Sequence, residues 1–230
     1  MSLQAKINYP TDKQGYSQML RKAEIGISLE ADGKQAQINF LGKELFKLTA
    51  DRIKGIRAEA QGVPERNVAC YNYDYHIGAL KEIDDTAPLL KIITVSNDSR
   101  GSIHPVLFKG KEIYNLNATN PFFMRGAHSH PYDIEFHIIY GRGIWIIFRE
   151  GEAKASIEEQ KAGERKLIRK GELHSFIATE PTLLTEMPAI GITGEEFKAE
   201  NDHHARELMN QFNSKQESFN KLVSEMLRQS

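Results

Sequence analysis

The chain has 230 residues, with 30 basic and 31 acidic side chains, a net charge of −1 and 40% apolar content. That length fits one domain with extensions, and the apolar content is enough for an ordinary core without disulfides or disorder. Balanced charge argues against a nucleic-acid face built on bulk charge, a single cysteine (Cys70) excludes an internal disulfide framework, and no apolar run is long enough to cross a bilayer. The expectation is a soluble, cytoplasmic protein whose partner is a small-molecule substrate, not nucleic acid or a membrane.

In chain order, residues 1–23 read as an irregular arm with one short helix around Tyr16–Ala23. Ile25, Ile27 and Leu29 then alternate with small or polar residues, Asp32-Gly33 signals a hairpin, and Ala36, Ile38 and Phe40 alternate again. With a second turn at Gly42-Lys43 and a strand through Leu45–Leu48, this predicts a β-meander laid against a main sheet. From Thr49 to Arg66 the pattern loosens. Tyr71, Tyr73 and Tyr75 at period two suggest an aromatic strand face, and Leu89–Val95 is a β-branched run that reads as a buried strand. A hairpin follows around Lys109-Gly110-Lys111. Short strands with Gly-containing turns continue to Met187, the pattern of a β-barrel or sandwich. After Gly194, apolar residues fall at helical spacing among charges, which predicts one long helix, or two with a break near Asn213-Ser214. Its stripe could pack on the barrel or on a second copy in a homodimer. The divisions expected are 1–88 as arm and meander, 89–194 as barrel, and 195–230 as an amphipathic helix.

Chemistry concentrates in Gly126-Ala127-His128-Ser129-His130-Pro131-Tyr132-Asp133-Ile134-Glu135-Phe136-His137, answered by Gly171-Glu172-Leu173-His174. Four of the eight histidines fall between His128 and His174. On a strand, residues two apart share a face, so His128 and His130 can converge on one ion. Three imidazoles and a carboxylate suit one divalent transition metal (Mn, Fe, Co, Ni or Zn) with positions left open for substrate.

These residues resemble the two motifs of the cupin superfamily, double-stranded β-helix barrels that hold a metal in the mouth. His128, His130, Glu135 and Gly141 or Gly143 follow the order of the first motif, and Gly163, Gly171 and His174 that of the second. The resemblance covers Leu89–Met187 and implies a mainly β fold with His128, His130, Glu135 and His174 as metal ligands. The chain departs from the pattern at Phe122 and Phe123, where a glycine is usual, and at Lys170, where a proline is. Glu135 also lies one residue closer to the glycine turn than is usual, so it faces the metal only if the hairpin is shortened; otherwise the offset turns it out of the barrel.

If Glu135 faces inward, so does His137, which is then either a general acid–base or a support for a ligand. Arg125, Arg142 and Lys170 flank the motifs and could fix an anionic substrate group, and Tyr140 could face the pocket. Trp145 and Phe148 read as core. His203 and Glu207, at i, i+4 on the helix, read as an exposed polar face before a metal pair. The ligand set supports three readings. The first is isomerase-like or lyase-like proton transfer, as in sugar and sugar-phosphate isomerases that the chain resembles at family level, with His137 as the base. The second is an Fe(II) dioxygenase, and the third a non-catalytic binding or sensor module.

Overall fold

A single long hairpin, wound on itself, explains most of the architecture. In the computed structural model the residues described are 9–49, 90–109, 111–130, 133–149, 151, 154–187 and 200–229. The hairpin's first arm runs through β7 (Lys111–Thr119), β8 (Met124–His128), β9 (Ile134–Tyr140) and β10 (Arg142–Phe148). Its second arm returns through β11 (Ser156–Lys161), β12 (Arg165–Ile168), β13 (Leu173–Ala178) and β14 (Thr182–Met187). Along both arms the antiparallel register is nearly continuous: Ile147 meets Ser156, His137 meets Arg165, His128 meets His174, and Thr119 meets Thr182. Because successive strands switch sheets, the paired arms coil into two facing sheets. One is ordered β11-β10-β13-β8, and the other contains β12-β9-β14-β7 and continues into β6 (Gly101–Phe108) and β4 (Leu90–Ile92). This is a double-stranded β-helix barrel.

The barrel is sandwiched between two further layers. Upstream, α1 (Lys13–Met19) is capped by the Asp12 carboxylate accepting from Gly15 N–H, a few residues before the predicted start. The meander is formed by β1 (Ile25–Leu29), β2 (Gln35–Phe40) and β3 (Lys43–Thr49). As expected, its apolar face (Ala36, Ile38, Phe40, Leu48) packs on the outer face of the larger barrel sheet, against Leu90, Val106, Phe108, Leu116, Ala118 and Leu183. The helix α2 (Glu200–Gln229) covers the outer face of the smaller sheet, where Met209, Phe212 and Phe219 meet Met124, Ala127, Ile144 and Ile177. Between the sheets lie Ile134, Phe136, Ile138, Trp145, Ile147, Ile168, Phe176, Ala178 and Leu184. With both sheets covered on both faces, a strand such as Ile144-Trp145-Ile146-Ile147 is apolar throughout instead of alternating.

One expectation is corrected, and one pair of alternatives is decided in favour of a single long helix. The run Leu89–Val95 is not one buried strand: β4 ends at Ile92, Val95 is exposed, and a separate β5 (Ser96–Asp98) pairs with β6. The partner segment carries Pro105, which accepts from Ile93 N–H but has no N–H to return, so the ladder breaks there. The terminal helix has no break at Asn213-Ser214. Asn213 instead faces the barrel, its Oδ1 accepting from Met124 N–H at 2.8 Å and its Nδ2 donating to Met124 C=O at 3.0 Å. It thus supplies the edge strand β8 with the hydrogen bonds a neighbouring strand would give. The helix stripe therefore packs on the barrel, while Leu208, Leu222 and Met226 remain exposed. Tyr9 stacks on Phe122 and donates to Gln216 Oε1 at 3.2 Å, tying the arm to the helix.

Cys70, the tyrosines Tyr71, Tyr73 and Tyr75, and His76 lie outside the described residues. No described helix is long and apolar enough to cross a membrane.

Replacing Asn213 with Ala strands two buried backbone groups of Met124. Chemical denaturation of Asn213→Ala is expected to show a loss of about 1–3 kcal/mol.

Candidate metal centre and its pocket

The three histidines meet because of an irregularity in β8. His128 is the cross-strand partner of His174 and Gly126 that of Ser175, so the register shifts and Ala127 is the extra residue. Gly126 (φ +88°) and Ala127 (φ +58°) both take left-handed backbone, and a Cβ on Gly126 would lie 2.9 Å from the His174 carbonyl oxygen. Without the bulge, residues three apart would face opposite ways. With it, Arg125 and His128 both line the barrel interior while Ala127 packs under the helix.

His130 lies just past the end of β8. Gly171 N–H donates to the His130 carbonyl at 2.9 Å, and the Asp133 carboxylate takes Arg169 Nη1 at 2.9 Å and the Lys170 N–H at 2.8 Å. These bonds dock the β12–β13 loop on the first motif and carry His174 toward His130. One ring nitrogen from each of His128, His130 and His174 lies within 4.8 Å of the other two, and the Nε2 atoms of His128 and His130 are 3.1 Å apart.

The three histidines could hold a metal ion, and His174 has the protonation that such a role needs. Its Nδ1 lies 3.2 Å from the Glu172 carbonyl oxygen, which can only accept, so Nδ1 carries the proton and Nε2 presents a lone pair. That Nε2 is fully buried and makes no hydrogen bond. An unsatisfied buried acceptor pointing into two other imidazoles is the donor set a divalent cation requires. Burial pushes His174 well below the usual histidine range, with His128 and His130 adding repulsion, and burial together with His128 pushes His130 down to about 3. Both imidazoles are therefore neutral, the form that ligates. Phe136 (5.6 Å between ring centroids) and Trp145 (6.0 Å) wall His174 off from water.

The expected carboxylate is corrected. Glu135 alternates with Ile134 and Phe136, which fill the interior, so it lies on the opposite face of β9 and pairs with Arg165 Nη1 at 3.3 Å. The one-residue offset from the motif is not absorbed by the hairpin. His137 goes with it by the same period of two: it is the cross-strand partner of Arg165 and not a pocket residue. Burial and Arg165 lower its pKa, and Glu135 opposes them.

An interior carboxylate comes instead from β14. Glu186 is the cross-strand partner of Phe136, lines the same cavity, and places Oε1 3.9 Å from His130 Nε2. A signal was available: a lone acid in the apolar run Leu183-Leu184-Thr185-Glu186-Met187. Both faces of that run are apolar, however, so its inward side could not be read.

The expected substrate contacts are corrected too. Tyr140 packs outside the barrel on Phe40, with ring centroids 5.2 Å apart, Arg142 is an exposed partner of Glu180 at 3.3 Å, and Lys170 is an exposed loop residue. Phe148 is exposed, not core, whereas Trp145 is buried, donates to Gln160 Oε1 and lines the cavity. His203 and Glu207 are exposed, as read. The cavity, about 320 Å³, is of small-molecule size.

No protein-family model and no curated protein matches the chain. Among solved structures it is similar to the cupin domain of Drosophila melanogaster CENP-C at 16% identity and a TM-score of 0.39, covering 45% of this chain and 82% of that one. It is also similar to a variant of Bacillus subtilis oxalate decarboxylase at 17% and 0.41, covering 49% of this chain and 32% of that one. The third is the capsular polysaccharide assembling protein CapF of Staphylococcus aureus at 14% and 0.40, covering 67% and 48%. At these scores none carries weight for what this chain does. The strand pairing is what defines the barrel. It is a cupin fold.

Metal analysis is expected to separate the histidines from Glu135. His174→Ala should lose bound metal, whereas Glu135→Gln should retain it, and equal metal in all forms would refute the assignment. A second outcome concerns pH. In the unfolded chain His130 and His174 titrate near the ordinary value of about 6.5. Below that pH the unfolded chain takes up protons that the folded one refuses, so stability is lost as pH falls toward the depressed folded values. Urea midpoints of the metal-free protein should therefore drop between about pH 7 and pH 5, and less steeply in His130→Asn.

Proposed function

We propose that this chain is a metal-dependent cupin enzyme acting on a small polar metabolite by isomerase-like or lyase-like proton transfer. The observation that carries the reading is the buried Nε2 of His174, without a hydrogen bond and turned toward His128 and His130. His128, His130 and His174 would hold the ion. A bound divalent transition metal supplies Lewis acidity toward a carbonyl or hydroxyl oxygen of the substrate.

The chain's own groups do the rest. The Glu172 carbonyl fixes the His174 tautomer, and Glu172 in turn accepts from Arg149 Nε at 2.8 Å, which steadies the loop. Glu186, half-buried beside His130, takes the acid–base role that sequence reasoning gave to His137. Its carboxylate accepts a proton from a substrate carbon or hydroxyl and returns it to a neighbouring atom. Phe136, Trp145 and Phe176 shape the wall, leaving the polar groups to fix the substrate's orientation.

That aromatic wall is also the observation that favours a second reading, an Fe(II) dioxygenase, since a dry pocket suits dioxygen activation. The two separate in one set of assays. The purified protein is expected to carry about one equivalent of metal per chain, the capacity of one three-histidine site, and to turn over a member of a panel of sugar phosphates and diols without consuming oxygen. Glu186→Gln should keep that metal and lower kcat by about 10²–10⁴-fold. Substrate-dependent oxygen uptake by the Fe(II) form would favour the dioxygenase instead.

A further inference from the structure

The same cavity holds a cation that neither the histidine cluster nor the fold accounts for. Arg125 is buried, with 9% of its surface exposed, and its guanidinium lines the pocket. Its one hydrogen bond among the described residues is a long one from Nη2 to the Ala118 carbonyl at 3.4 Å, and its Nε is fully buried without a partner. The nearby carboxylate, Asp98, is occupied: Arg100 grips it with Nη2 at 2.6 Å and Nε at 3.1 and 3.2 Å. No described carboxylate is in ion-pair contact with Arg125. Burial lowers its pKa to about 10, with Arg100 adding repulsion and Asp98 opposing it, and at that value the group is still charged at neutral pH.

A desolvated charge without a contacting counter-ion is costly, and an anionic ligand can offset that cost. The placement is specific. Arg125 is the cross-strand partner of Phe176, and His128 that of His174. On β13 these partners are two residues apart, so the guanidinium and the histidine cluster spring from levels separated by roughly 7 Å along one sheet. Arg100, paired with Asp98, and Arg206 line the same cavity, as does the Glu186 carboxylate beside His130.

We propose that Arg125 is an anion subsite that binds a carboxylate or phosphate of the substrate while the histidine cluster faces its other end, so that the substrates are small anionic metabolites. This rests on the enzyme reading above for the word substrate, but the anion site itself does not. The planar fork of N–H donors matches an oxyanion in two-point contact.

The chain has one tryptophan, Trp145, and it lines this cavity, so its emission reports on occupancy. The test titrates metal-free protein near neutral pH with malonate, inorganic phosphate and uncharged malonamide. A saturable change with malonate or phosphate and none with malonamide is expected, weakened by at least about tenfold in Arg125→Gln. Response to malonate alone assigns carboxylate substrates, and response to phosphate alone assigns phosphate esters. Malonamide binding as well as malonate, no response to either anion, or unchanged affinity in Arg125→Gln would overturn the proposal. Should Arg125→Gln fail to fold, Arg125→Lys keeps the charge but loses the fork, and anion affinity equal to that of the unaltered protein overturns it as well. Because the protein is metal-free, the result is independent of metal analysis, and failure of one reading does not imply failure of the other.

Discussion

Between Arg125 and His128 the chain takes three steps while its partner strand takes two, and the contents of the barrel depend on that mismatch. A regular strand would send one of the two side chains to solvent or into the helix. The extra residue, Ala127, lets both face inward, at the cost of a left-handed backbone that L-residues avoid by about 1–2 kcal/mol. The surroundings offset that cost. Ala127 is completely buried under α2, and Asn213 clasps the backbone of Met124 at the start of the strand. The terminal helix is thus part of the site's support, because it holds the edge strand whose bulge aims the ligands.

The same enclosure sets the electrostatics of the pocket. Burial keeps His130 and His174 neutral, which an empty barrel does not need but a metal ligand does. It also desolvates Arg125, whose charge cannot be shed in this way, since its lowered pKa still lies far above neutrality. Two kinds of buried group with opposite needs therefore share one cavity: lone pairs that call for a cation and a guanidinium that calls for an anion. A cation at the histidines and an oxyanion at the guanidinium, taken together, would satisfy both where either alone cannot.

Much of this was legible from the chain, for definite reasons. The meander could be read because Ile25–Leu29 and Ala36–Phe40 alternate with one face on the larger sheet and turns at Asp32-Gly33 and Gly42-Lys43 mark their ends. The histidines could be read because they cluster in two short motifs, although His130 lies just past the end of β8, where the period of two that predicted its convergence with His128 no longer applies. Glu135 and His137 alternate with the apolar Ile134, Phe136 and Ile138, a contrast that marks them as the outer face, but the resemblance to the metal motif pointed Glu135 inward and left its side conditional. The helix could be read as one or as broken at Asn213-Ser214, because a polar pair there has no purpose until the exposed edge of β8 is known. Arg142 and Lys170 stood as near to the motifs in sequence as Arg125, and only the bulge distinguishes the one that turns inward.

The carboxylate of the pocket comes from a strand other than the one its motif pointed to. An offset of one residue put Glu135 on the outer face, where it pairs with Arg165, and gave the inward position to Phe136. Phe136 is directly paired with Glu186 on the neighbouring strand, so an acid stands at the same level of the sheet, reached from the side. Cross-strand neighbours sit about 5 Å apart, a side chain's length, so such an exchange changes the angle of approach more than the height. From that angle Glu186 addresses His130 at 3.9 Å but does not join the three nitrogens that converge. A carboxylate beside the histidine cluster, instead of within it, suits the proton-handling role proposed for it, and this pocket draws that carboxylate from β14, outside both histidine motifs.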